Sequence, residues 1–523
     1  GTTGGEENEN QPNNTTGGEE NENQPSGTTG GEENENQPNN TTGGEENENQ
    51  TSDTTGGEEN ENQLDNTTGG EENENQTGGT TGGEENETGF TKKTQPSDSP
   101  VLESQITYTG PSLNVANAND DDETRDESTT ALKTAAENFR NTAENVTNYV
   151  IKIINKVKDS TLNVTLEDVN IKANNDAALS VEGAGNTKIT LSGSNTLTGG
   201  DGHAGLEHNE KSKDDNDDSV DTGKLTITSE KDSGILTATG GSGAAGIGGA
   251  RNNGAGIIEI AGGTITEAIG GDGGAGIGSG SRATGNTNIT ISGGTIEEAV
   301  GGSTGDGIGG GNSSRNITVT IQGGTIKKAQ GGNGTGFAGH GIHSDSTLNI
   351  SGGTIGTAQG GNGRYGGDGI RSDSTLNISG QASIQNATGG DNQSTGGSGI
   401  YSVGELTISG GTIGTAQGGN GNSSRSGTGG DGIYSKTMEI LGGIIQKAIG
   451  GNAKGNTCTG GSGIHSDGTL TISGGEIQQA TGGDSTGNSG KGGTGIRGDQ
   501  VVNISGGTIT EATGGTGGAG IGS

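Results

Sequence analysis

A short phrase returns nine times along this chain and limits what the chain can become. The residue pair that precedes a Thr-Ile type strand recurs at Gly262–Gly263, Gly293–Gly294, Gly323–Gly324, Gly352–Gly353, Gly380–Gln381, Gly410–Gly411, Gly442–Gly443, Gly474–Gly475 and Gly506–Gly507. The steps run from 28 to 32 residues. Within each unit the order is constant: an L-x-I run, S-G-G, a T-I run, Ala, G-G, a variable glycine-rich segment, then G-I. Each run is too short to bury anything alone, and apolar residues alternate with polar ones, as in Leu348-Asn349-Ile350. Units of this length stack, and the stack supplies the core that no single unit has. Three short strands per unit joined at glycine corners predict one coil of a parallel β-helix. The corners explain the glycine, because sharp turns need positive φ or close backbone approach.

Bulk composition hides this. With 117 Gly among 523 residues, 22% hydrophobic content and a formal net charge of −39, the averages describe a disordered acidic polymer. The charge is unevenly placed. Residues 1–100 hold 24 Asp and Glu against two Lys, as a 13-residue repeat of GGEENEN that begins at residues 4, 17, 30, 43, 56 and 69. No position there could fill a core, so residues 1–100 read as a disordered acidic stalk and 101–127 as a linker. Residues 128–160 contain Leu132, Ala136, Phe139, Ala143, Val146, Val150, Ile153 and Val157 at spacings of four and three, which predicts an amphipathic helix over 128–158. Its expected place is across the open N-terminal end of the solenoid, where strand edges need a cover. Residues 161–261 read as irregular coils and 262–523 as regular ones. GGAGIGS closes the sequence in mid-repeat, so more protein is expected to follow.

The acidic balance argues against nucleic acid, which needs a basic surface. No run of about 18 apolar residues occurs, so no membrane insertion is expected in this chain. Cys458 is the single cysteine, and no intrachain disulfide can form. GSGAAG and GDGGAG fit a dinucleotide-binding spacing, but neither opens a helix and glycine this common makes such matches cheap. No Ser–His–Asp grouping stands at a recognisable elbow, and the HSD of 343–345 and 465–467 lies on repeated scaffold. KDDNDDSVD at 213–221 reads as a solvated loop, with calcium collection the alternative.

Two columns carry information. The residue after G-G reads Asp272, Ser303, Asn333, Asn362, Asp391, Asn420, Asn452, Asp484 and Thr516. Stacked about 4.8 Å apart, these form a hydrogen-bonded ladder at a corner; metal binding is the lesser alternative, because the Asn residues dilute the charge. The residue after G-I reads Gly248, Gly278, Gly309, then His343, Arg371, Tyr401, Tyr434, His465 and Arg497. Its isoleucine neighbours point inward, so this column points outward. A row of planar, hydrogen-bonding side chains on a rigid sheet suits a chain-like ligand; the alternative is simple decoration of exposed strands. His343, Arg371, Tyr401, Tyr434, His465 and Arg497 are therefore the candidate ligand-binding residues. The Thr/Asn ranks such as Thr347/Asn349 suit ice binding less well, because Glu405, Glu439 and Val501 interrupt them.

TLEDVNI, ALSVEG and KITLSGSNTLTGG, followed by repeated LNISGGTI and AGIGG-type units, resemble the secreted or cell-surface carbohydrate-binding β-helix proteins of Gram-positive bacteria. The resemblance spans roughly 161–523. It implies a right-handed parallel β-helix, an extracellular or cell-surface location and a polysaccharide or cell-surface glycan as partner. Some members take acidic polysaccharide together with calcium, which makes calcium a candidate cofactor, and no other one is implied. It carries over no metal-binding residue. Together these point to a non-enzymatic, adhesin-like solenoid on an acidic stalk, expected to take an acidic polysaccharide; a ligand-free structural spacer and a polysaccharide lyase or hydrolase are the alternatives.

Overall fold

A computed structural model describes residues 90–94, 104–108, 150–213, 219–230, 234–423 and 425–522. No helix occurs among the described residues, and from Val150 the chain winds into a parallel β-solenoid of about 12 turns. One turn illustrates the rest. Ile342–Ser344 lies on a first face, Leu348–Ile350 on a second and Thr354–Gln359 on a third. These are called the G-I, leucine and T-I faces below. Each strand pairs in parallel with its counterpart one turn on.

The repeat period sets that register. Leu348 pairs with Leu376, Leu376 with Leu406, Leu406 with Met438 and Met438 with Leu470, and all five are at most 1% exposed. The expected leucine column is one column, with Met438 filling a rung. Ile342, Ile370, Ile400 and Ile433 form its counterpart on the G-I face, and Ile326, Ile355, Ile384 and Ile413 on the T-I face. Burying each such side chain is worth about 1.5–3 kcal/mol. The core is aliphatic throughout, without Phe or Tyr.

The three corners are solved differently. Between the leucine and T-I faces the second glycine of S-G-G has positive φ in turn after turn, +71° at Gly294 and +75° at Gly353. Between the G-I and leucine faces a serine column (Ser344, Ser372, Ser402, Ser435, Ser466) is fully buried. Ser372 Oγ donates to the Thr375 carbonyl at 2.9 Å, so the hydroxyl takes up a corner carbonyl.

The third corner accounts for most of the remaining glycine, and φ is not its reason. Gly361 N donates to Gly339 O at 2.9 Å, Gly367 N to Gly361 O at 3.0 Å, Gly390 N to Gly367 O at 2.8 Å and Gly397 N to Gly390 O at 3.1 Å. The pattern continues through Gly419, Gly430, Gly451 and Gly461. Two glycine columns thus close on each other backbone to backbone, and a Cβ at Gly397 would overlap the Gly367 carbonyl oxygen. Beyond this zipper the variable segments project. Four of them pair into a small parallel sheet: Gly363–Tyr365, Asn392–Thr395, Gly421–Asn422 and Ala453–Lys454. At their base the Asn/Asp ladder is present. Asn333 Oδ1 accepts from Asn362 N, Asn362 Oδ1 from Asp391 N, Asp391 Oδ1 from Asn420 N and Asn420 Oδ1 from Asn452 N, all at 2.7–2.9 Å.

The N-terminal region departs from expectation. Val150–Ile154, the expected last turns of a helix, is a strand paired in parallel with Leu179–Glu182. Four of its five residues are β-branched, and Ile151 and Ile153 are buried while Lys152 reaches Glu182 at 2.8 Å. A period of two thus describes VIKII better than the helical spacing does. Phe90–Thr94 and Ser104–Tyr108, expected in stalk and linker, are strands as well. They pair antiparallel with each other, and the second pairs in parallel with Val150–Ile154, extending the G-I face. The rest of the stalk, the linker and residues 128–149 of the expected helix lie outside the described residues, as do positions 214–218 of the acidic insertion.

Candidate functional site

The six candidate residues stand in one row on the G-I face. His343 pairs with Arg371, Arg371 with Tyr401, Tyr401 with Tyr434, Tyr434 with His465 and His465 with Arg497. From Arg371 to His465 their side chains touch in sequence. The Arg371 guanidinium lies 4.8 Å from the Tyr401 ring centre, Tyr401 stacks on Tyr434 at 4.6 Å, and Tyr434 meets His465 edge to face at 5.2 Å.

The row is less open than its outward direction implied, because the segments projecting through the glycine zipper rise beside it. Between them lies a groove of about 680 Å³. His343, Arg371, Tyr401 and Tyr434 form its floor, Phe337, Tyr365, Thr395 and Thr428 line it from the projecting segments, and Gly310–Ser314 closes one end. Phe337 and Tyr365 stack at 4.8 Å, with Phe337 73% exposed. Every Phe and Tyr after residue 150 lines this groove. His465 and Arg497 continue the row past it.

Two flanks of aspartate hold the row, and the sequence reading passed over them. On the zipper side, Asp306 accepts from His343 Nδ1 at 2.8 Å, Asp368 from Arg371 at 3.0 Å and Asp431 from His465 Nδ1 at 2.9 Å. These carboxylates also cap backbone amides: Asp306 accepts from His340 N at 2.8 Å and Asp368 from Ser398 N at 2.6 Å. On the other side, Asp373 accepts from Arg371 Nε at 2.6 Å and Asp499 from Arg497 Nε at 2.5 Å, while Tyr434 donates to Asp467. The signal in the sequence is G-D-G-I before the row residue and, around and after it, I-x-S-D or, at Asp499, I-R-G-D. Either would have pointed to the flanks, had row and partners been read across successive turns.

These partners set the charge states. Burial alone would lower the His343 pKa, but Asp306 and then Asp373 outweigh it and carry it up to about 10. At Asp373 burial is likewise overcome, by the bonds and charges of His343 and Arg371, and its carboxyl drops to about 2. Burial raises the Asp368 pKa, with Arg371 opposing. The Arg371 guanidinium, expected to be free for a ligand's carboxylates, is already held from both sides. Arg497 is held by Asp499. The chemistry left for a ligand is aromatic faces and hydrogen bonds rather than free positive charge.

In the preceding turns the row positions are Gly248, Gly278 and Gly309, with φ of +131°, +142° and +148°. A Cβ at Gly278 would overlap the Gly309 carbonyl oxygen. The glycines therefore interrupt the row for a backbone reason, and its side chains resume at His343. No family model, no curated protein and no solved structure matches this chain.

Proposed function

We propose that the groove binds an extended carbohydrate chain, and that the protein works as an adhesin-like, non-enzymatic solenoid at a cell surface or outside the cell. The reading includes a right-handed coil, the hand that parallel crossovers take almost without exception. One observation carries it: from Val150 onward, a solenoid with an aliphatic core places all four Phe and Tyr residues in a single groove. Aromatic faces along a rigid track suit the apolar faces of sugar rings, and carboxylates between them suit sugar hydroxyls. The neutralised arginines and the surrounding aspartates favour a neutral polysaccharide over an acidic one, because an acidic chain would meet repulsion without a free cation to offset it.

A glycan array tests this directly. The full chain should be retained on one class of neutral polysaccharide, and the double substitution Tyr401→Ala, Tyr434→Ala should weaken retention at least about tenfold, the worth of two lost ring contacts. Absence of retention on any glycan would turn the reading to a structural spacer. New reducing ends or unsaturated products from a bound polysaccharide would turn it to a hydrolase or lyase.

A further inference from the structure

Beyond the glycan reading, and independent of it, we propose that the row carries two sites for a divalent first-row transition-metal ion of the Zn²⁺ type. One is formed by His343 Nε2, Asp345 Oδ1 and Asp373 Oδ2, the other by His465 Nε2, Asp467 Oδ1 and Asp499 Oδ1. In each set the three donor atoms lie within 4.8 Å of one another.

Distances are the first argument. His343 Nε2 stands 3.6 Å from Asp345 and 3.7 Å from Asp373, and His465 Nε2 stands 3.5 Å from Asp467 and 3.4 Å from Asp499. These are too long for N–H···O hydrogen bonds. Both Nε2 atoms are buried and have no hydrogen-bond partner, an unusual state for a buried polar atom. The same separations suit two donors on one cation: bonds of about 2.0–2.2 Å place neighbouring ligand atoms roughly 3.3–3.6 Å apart around a tetrahedron.

Orientation is the second argument. In both rings Nδ1 donates to a carboxylate of the opposite flank, Asp306 at 2.8 Å and Asp431 at 2.9 Å. That bond fixes the ring and presents Nε2 to the two remaining carboxylates, as outer-shell carboxylates do at metal-bound histidines. Arg371 Nε and Arg497 Nε hold Asp373 and Asp499 in place.

The third argument is the repeat. A site of this kind needs a turn with His in the row and Asp two residues later, followed by a turn that again has Asp at that second position. The sequence supplies both twice, as His343/Asp345 then Arg371/Asp373, and as His465/Asp467 then Arg497/Asp499. In the two intervening turns the row is Tyr401 and Tyr434, and the aspartate is replaced by Val403 and Lys436. The acidic residue comes and goes with the site. One imidazole and two carboxylates leave a position open for water and favour Zn²⁺-like ions over Ca²⁺, which takes six to eight oxygens.

Titrating the full chain with Zn²⁺ by calorimetry, in excess Ca²⁺ to occupy oxygen-only sites on the acidic stalk, tests the proposal. Two equivalents should bind. His343→Tyr should remove one, His465→Tyr the other, and the double variant both; Tyr already occupies the row in neighbouring turns, so folding is preserved. Asp373→Asn and Asp499→Asn should each abolish one site without touching the histidine. Asp306→Asn, which keeps an acceptor for His343 Nδ1, should weaken the first site about 10–100-fold and leave the second alone. Co²⁺ in place of Zn²⁺ should give visible absorption that disappears in the double variant. Unchanged Zn²⁺ stoichiometry in the double variant would overturn the proposal. So would a wild-type chain that takes up no Zn²⁺ above the stalk's background, for then the histidines serve only as imidazolium partners of their aspartates.

Discussion

Turns 240–310 and turns 331–497 use one vocabulary and build two different surfaces. The core is the same in both, since Ile258, Ile289 and Val319 occupy the column that Leu348 and Leu376 continue. The difference is where each turn puts its extra residues. In the earlier turns they lie between the G-I and leucine faces, so that 12 positions separate Ile277 from Ile289. In the later turns only six separate Ile342 from Leu348, and the extra residues lie between G-G and G-I. In the earlier turns the row backbone takes positive φ and each row carbonyl presses on the turn before it, which admits only glycine at Gly248 and Gly278. Late insertion leaves the row free for side chains and raises a wall next to it. The groove begins where one pattern gives way to the other, at Asp306 and His343. A groove has been made by moving loops from one corner to another while the coil stayed fixed.

The largest effect should come from crossing that boundary with a side chain. Gly278→Ala forces a Cβ into the Gly309 carbonyl at φ +142°. It should cost several kcal/mol, at least about 3, and open the neighbouring turns. Arg497→Ala, in the same row farther along the coil, should cost well under half of that, because its backbone accepts any side chain and its pair with Asp499 is largely solvated. Denaturant melts with hydrogen exchange resolved by turn would compare the two. Similar losses at both sites would break the distinction between the surfaces.

A mutation in the shared core should be indifferent to the boundary. Leu406→Ala empties part of the buried column and should cost about 2–5 kcal/mol, as should Ile289→Ala in the earlier turns. A tenfold difference between the two in their effect on the local unfolding constant would mean that the loops, and not the coil alone, carry stability.

The ladder sharpens the comparison at smaller scale, because its consecutive side-chain bonds belong to the later turns. Asp391 Oδ1 accepts from Asn420 N at 2.7 Å and from Asn420 Nδ2 at 3.0 Å. Asp391→Ala should cost about 1 kcal/mol and speed exchange of the Asn420 amide. Asp272→Ala in the earlier region should do less.

How far the sequence shows all this depends on which residues carry the message. The coil is legible because Ile and Leu must return at each turn to meet their counterparts, and the row is legible because it sits beside an invariant G-I. The ladder is legible for the same reason, beside G-G. The aspartate flanks are not, because Asp306 and Asp431 serve histidines in the next turn, 37 and 34 residues on, and a pairing across that distance depends on register. Nor is the glycine zipper, in which glycine is required by a neighbouring backbone that local sequence does not contain. VIKII misled because a short β-branched run satisfies two periods at once. The groove wall was hidden in loops whose lengths vary, and Phe337, Tyr365, Thr395 and Thr428 align only when each loop is counted back five residues from the isoleucine of G-I.

The smallest expected effect lies at the start of the row, before the glycine positions. Glu207 pairs with Gly248 and so occupies the row itself, one turn earlier. His203 Nδ1 donates to its Oε2 at 2.9 Å, and that bond, against some burial, raises the His203 pKa above its ordinary 6.5. Asp176, at 4.0 Å, and Asp201 add to the same direction. The sign follows from linkage: the folded state holds the proton more tightly, so the stabilisation is complete below pH 6.5 and is lost as pH rises through the raised folded pKa. The His203 side chain is 35% exposed, so solvent screening keeps the effect under about 1 kcal/mol. Glu207→Gln should lower the His203 titration midpoint seen by NMR, and should reduce stability at pH 5.5 more than at pH 9. His343, carried up to about 10 by one carboxylate from each flank, Asp306 and Asp373, should still be protonated in the metal-free chain after His203 has lost its proton. If the two rings titrate together, the later turns hold their row no more tightly than the earlier one, and the flanks of aspartate do less than their geometry implies.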